Sequence, residues 1–128
     1  MEIETHKIPN TNIIKINFGN EKDEDSQELT GTIELDIENQ IQFLDQINSL
    51  LDEGESKIIL SLSQISYIDS SGLWAIFESF KKSEQRNGKI VLLNPRKDVR
   101  RVLDITKISS KIKIFEEDES AINYLSEE

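Results

Sequence analysis

From Leu29 onward, the apolar residues of this 128-residue chain switch repeatedly between strand and helix spacing. Residues 29–33 (LTGTI) read as a short strand. Ile37, Ile41, Leu44, Ile47 and Leu51 then recur at intervals of three and four, one stripe of an amphipathic helix. Asp36 suits its N-cap and Gly54 its end. Residues 57–62 (KIILSL) form a β-branched-rich strand that residues 65–68 extend toward Asp69. Leu73, Ile76, Phe77 and Phe80 make a second helical stripe, closed at Asn87 and Gly88. Residues 89–93 are a strand, and Asn94 with Pro95 suits the start of a third helix through Val99, Val102 and Leu103. Residues 111–115 are a last strand and residues 118–125 a terminal helix. Strand and helix in strict alternation predict parallel βαβ units with right-handed crossovers.

Ahead of this series, residues 3–8 and 13–18 read as two more strands. Ile14, Ile16 and Phe18 alternate with Lys15 and Asn17, the pattern of a half-buried strand. The PNTN turn between them predicts an antiparallel hairpin. Residues 19–28 hold no apolar residue and many acids, and read as an acidic surface loop. They lack the alternating oxygen ligands and turn glycine of a calcium loop. The expected architecture is a single α/β domain over residues 1–128. Its mixed β-sheet joins parallel βαβ units to the N-terminal hairpin, with helices mainly on one face.

Composition removes several function classes. The net charge of −10 speaks against nucleic-acid binding, which needs clustered Lys and Arg against phosphates. With no cysteine there is no disulfide and no thiolate site. No signal peptide is visible, and the longest apolar run is the five residues from Leu73 to Phe77, far short of a bilayer span. The expectation is a cytoplasmic protein with no direct membrane insertion. The charge is unevenly spread: −11 over residues 1–56, +7 over 57–113 and −6 over 114–128. Charges of this kind commonly coat solvated faces. The basic middle, with Arg96, Lys97, Arg100 and Arg101, also suits one side of a docking surface.

Catalytic motifs are missing. The one histidine, His6, lies in a strand pattern, and no GxSxG elbow accompanies it. The five glycines are never closer than 12 positions, so no phosphate-binding glycine loop exists. The chain is expected to be no enzyme and to need no cofactor or metal.

One concentrated feature remains, Ile68-Asp69-Ser70-Ser71-Gly72-Leu73, where a strand ends and a helix begins. Asp69, Ser70 and Ser71 can accept N–H groups at the helix start, and Gly72 leaves room for close approach. The same residues suit a plain polar N-cap with no further role. A regulatory phosphate acceptor is the functional alternative: a helix N-terminus tolerates the added charge, so the surface changes while the fold survives.

The run from Lys57 to about Tyr124 resembles the STAS domain family, and within it the bacterial anti-sigma factor antagonists. The matching pieces are KIILSLSQISYIDSSGL, then QRNGKIVLLNP, VRRVLDITKI and KIKIF, with LTGTI resembling the strand before the family's first helix. The resemblance implies a partner switch. The unphosphorylated antagonist binds an anti-sigma factor serine kinase and frees the sigma factor. Phosphorylation of the serine after the motif aspartate, here Ser70, turns it off, and a phosphoprotein phosphatase reverses this. Ser71 ranks behind Ser70 as acceptor. Asp69, Ser70, Ser71, Gly72, Leu73 and Trp74 are the implied partner-binding residues. Trp74 stands where the antagonists carry a small residue, Glu34 replaces a common aspartate, and residues 19–28 are inserted. A STAS accessory subunit of an ABC-type lipid transporter is the alternative role.

Overall fold

The computed structural model describes residues 1–127. Strands β1 (Glu2–Lys7), β2 (Ile13–Gly19), β6 (Lys57–Ser61), β8 (Lys89–Leu93) and β9 (Ile114–Phe115) form a five-stranded sheet in the order β1-β2-β6-β8-β9. Only β1 and β2 pair antiparallel; every other neighbour in this sheet is parallel. The hairpin and the mixed, mostly parallel sheet therefore match the sequence expectation. Two short pairs flank it: β3 (Glu21–Lys22) with β4 (Leu29–Thr30), antiparallel, and β5 (Ile33–Leu35) with β7 (Ile65–Ile68), parallel.

Period-two alternation sorts the sheet residues between two cores. Ile14, Ile16, Phe18, Ile58, Leu60, Ile90 and Leu92 face α1 (Gln40–Asp52), α2 (Ser70–Gln85) and α3 (Lys97–Ile105) in the larger one. Ile13, Ile59, Val91 and Leu93 face the other way, where Ala121 and Leu125 of α4 (Asp118–Ser126) cover them. Three helices on one face and one on the other agree with the expectation of helices mainly on one face. No described helix is long and apolar enough to cross a membrane.

Several local expectations are corrected. The strand over residues 29–33 is two strands, because Gly31 turns the chain at φ +78° between β4 and β5. Residues 65–68 do not prolong β6; they are a separate strand that pairs with β5. Asp36 does not cap α1. Its carboxylate accepts the Glu38 N–H in a turn, and the helix starts after Asn39. Ile37 and Ile41, placed on the core stripe by spacing alone, are 67% and 59% exposed, while Phe43 and Leu50 join Leu44, Ile47 and Leu51 inside. Likewise Asn94 ends β8 at φ +50°, and α3 begins after Arg96. The acidic segment is exposed over most of its length, but its Glu21 and Lys22 are paired with β4.

Candidate functional site

The site is built where β7 runs out and α2 starts. Asp69 has extended backbone (φ −101°, ψ −175°) and caps α2, its Oδ1 accepting the Gly72 N–H at 2.9 Å. Its other oxygen accepts the Ile37 N–H at 3.3 Å, and its own N–H donates to the Leu35 carbonyl. One carboxylate thus ties the start of α2 to the β5–α1 turn, two segments far apart in sequence. A second lock is steric. A Cβ at Gly72 would lie 2.2 Å from the Leu35 carbonyl oxygen, so only glycine fits. What approaches Gly72 closely is therefore the chain's own backbone. Gly72 is buried, which corrects the reading of it as room for another molecule.

Ser70, the first residue of α2, is exposed, and Ser71 is half-buried. No described group hydrogen-bonds the Ser70 hydroxyl. Leu73 is half-buried and packs on the edge of the larger core, while Trp74 is 51% exposed. The core side of α2 is made instead by Gly72, Ala75, Ile76, Ser79 and Ser83. Both of those buried serines are satisfied, Ser79 by the Ala75 carbonyl at 2.8 Å and Ser83 by the Ser56 carbonyl at 2.9 Å. Small polar residues there let α2 lie close to its neighbours, which turns Trp74 and Phe77 toward the outer surface.

Beside Ser70 the outer face of α2 forms one wall of an apolar groove of about 410 Å³. Ser70, Trp74 and Phe77 stand on that wall, with Lys107, Ile108 and Lys111 opposite, on the 3₁₀ turn after α3 (Ile108–Ser110) and its flanks. Spacing did not mark Lys107 or Lys111; only the +7 charge of the middle segment pointed toward them. The basic residues named from sequence lie differently. Arg96 donates to the Ser63 carbonyl at 2.8 Å, and Arg100 pairs with Asp104 and Glu116. Lys97 and Arg101 line a separate recess along α3.

This strand, aspartate-capped helix and two-faced sheet match the STAS domain model over residues 28–121. The chain belongs to the STAS domain family. A curated Thermotoga maritima relative, named as a candidate anti-sigma factor antagonist, is 34% identical over 84 residues, which is 65% of this chain and 74% of that one. The crystal structure of a candidate antagonist from the same organism superposes with a TM-score of 0.78 at 25% identity, covering 96% of this chain and 93% of that one. SpoIIAA, the Bacillus cell-fate determinant in its phosphorylated form, shares the fold at a TM-score of 0.64 and 20% identity, with 96% and 98% covered. The STAS fold also occurs inside the murine anion transporter Slc26a9, where 91% of this chain matches 18% of the transporter at 14% identity and a TM-score of 0.68.

Proposed function

We propose that this STAS protein is an anti-sigma factor antagonist, a regulatory binding protein switched at Ser70. The unmodified form engages an anti-sigma factor that is a serine kinase, so the sigma factor is released. Phosphorylation of Ser70 ends that engagement, and a phosphoprotein phosphatase restores it. The chain is the kinase's substrate and not a catalyst, and it acts in the cytoplasm.

One observation carries the reading: Ser70 offers an unengaged, exposed hydroxyl at the first turn of α2, which Asp69 and Gly72 tie to the β5–α1 turn. A helix N-terminus accommodates the added charge without unfolding. The Thermotoga relative supports the antagonist role, and the phosphorylated form of SpoIIAA supports a phosphate switch on this scaffold. Asp69 acts as a positioning residue. Ser71, Leu73 and Trp74 supply the contact surface around Ser70.

The test is incubation with ATP and the anti-sigma kinase encoded in the same genome, followed by phosphosite mapping. Labelling of the parent at residue 70 and none in Ser70→Ala is expected. Undiminished labelling of Ser70→Ala overturns the site, and failure of the unmodified chain to bind the kinase overturns the role. The shared fold with an anion transporter makes a transporter-subunit role the alternative. Co-purification with a permease and its ATPase, unchanged by Ser70→Glu, would establish that role instead.

A further inference from the structure

We propose that the groove between α2 and the turn after α3 holds a receiving site for a phosphate monoester, filled in cis by phosphorylated Ser70 through Lys107 and Lys111. This rests on reading Ser70 as the switch residue, and states what its phosphate then contacts.

The first support is an imbalance of charge. Lys7, Lys15, Lys22, Lys81, Arg86 and Arg100 each sit within 4 Å of a carboxylate. Lys107 and Lys111, like Lys82, Lys97, Arg101 and Lys113, have no such partner among the described residues, but these two are the cations that line the groove beside Ser70, and no acid lines it. The carboxylates of Asp69 and Asp104, next in sequence to Ser70 and three residues before Lys107, are engaged elsewhere. Asp69 accepts two backbone N–H groups, and Asp104 accepts from Arg100 and from the Ser109 hydroxyl. Two cations therefore border an apolar floor with no carboxylate lining it.

The second support is how Lys107 is presented. Its backbone sits at φ +67°, pinned by its own N–H on the Asp104 carbonyl and by the Ser110 N–H and hydroxyl on its carbonyl. A side chain displayed from a fixed turn loses less freedom on pairing than one from a loose loop. Ser70 lies on the facing wall.

Phosphorylation breaks the bond from the γ-phosphorus of ATP to its bridging oxygen and forms an Oγ–P bond. ADP leaves with the electron pair and the hydroxyl proton passes to solvent. The product carries about −1.5 to −2 charge and three acceptor oxygens. Pairing across the groove draws both lysine side chains over Trp74 and Phe77. Modification then removes an apolar surface from a partner's reach, as well as adding charge.

The full chain with phosphoserine installed at position 70 during translation tests this without any kinase. Phosphorus NMR over a pH series should place the second phosphate ionisation about half a unit lower than in the Lys107→Asn/Lys111→Gln variant, because nearby cations favour the dianion. The difference should shrink as salt is raised. Asparagine is chosen at 107 because it tolerates positive φ. Trp74 is the one tryptophan in the sequence, so acrylamide quenching reports the groove directly. Phosphorylation should protect it in the parent and not in the variant. Identical ionisation and quenching in the two proteins overturn the proposal. If the variant fails to fold, a salt-insensitive ionisation in the parent alone overturns it. Inorganic phosphate added to the unmodified chain is the control; equal protection of Trp74 would make this a free-anion site and end the cis assignment. A kinase that ignores Ser70 would instead defeat the switch reading and leave this measurement standing.

Discussion

Asp69 and Gly72 do different work at the same loop. The Asp69 carboxylate joins two segments by hydrogen bonds, whereas Gly72 joins them by having no side chain. Asp69→Ala should lower stability by about 1–2 kcal/mol, more than a simple cap because the Ile37 N–H loses its acceptor too. Asp69→Asn should recover part of this, since its amide oxygen still accepts one N–H; urea midpoints separate the three proteins. Gly72→Ala forces a methyl against a backbone carbonyl that cannot swing away, and should cost about 1–3 kcal/mol. Asp104 gives a pH signature. The Ser109 hydroxyl, with Arg100 adding to it, holds this carboxyl below its usual value. A depressed pKa stabilises the fold above the unfolded-state value and the contribution fades as pH falls through the folded one. Carbon NMR of the carboxyl should therefore show Asp104 titrating at higher pH in Ser109→Ala than in the parent.

The helices divide structural and contact roles between faces. Along α2, Ala75, Ile76, Ser79 and Ser83 pack inward, leaving Trp74 half in solvent. Trp74→Ala should accordingly weaken partner binding by about 2 kcal/mol, roughly thirtyfold, while moving stability by about 0.5 kcal/mol or less. Calorimetry with the proposed anti-sigma kinase checks the first and urea titration the second. α4 has the opposite profile: Ala121 and Leu125 close the smaller core on the far side of the sheet. Leu125→Ala should cost about 2–4 kcal/mol of stability and leave kinase affinity of the folded fraction unchanged.

The charge of the whole molecule is strongly negative, yet the groove beside Ser70 is bordered by two unpaired lysines. A partner approaching that face meets a local field opposite in sign to the net charge. Association should weaken as salt rises on the Debye scale of about 8–10 Å. The lysines should account for most of that dependence, because Arg96 and Arg100 of the basic run are already engaged by the protein and Lys97 and Arg101 line a separate recess. On-rates measured across a salt series, with and without Lys107→Asn/Lys111→Gln, decide this.

The periodicities of the chain were enough for the mostly parallel mixed sheet, the antiparallel hairpin and helices mainly on one face, because alternation and helical spacing are local properties of the backbone. Residues 68–73, read as the end of a strand and the start of a helix, fall at that junction in the structure. Spacing failed where burial depends on what lies opposite. Ile37 and Ile41 keep the helical interval but are exposed, Ile37 lying ahead of α1, and Gly72 receives its own chain where the sequence left room for a stranger. The contacts of Asp69 with Leu35 and Ile37, and the placing of Lys107 and Lys111 across from Ser70, join residues more than 30 positions apart. Pairings at that distance arise when elements pack, and no local pattern encodes them. The −10 of the whole chain is fixed by composition; which charges stand where is settled by folding, which engages many of the cations with neighbours and sets Lys107 and Lys111 along the groove beside Ser70.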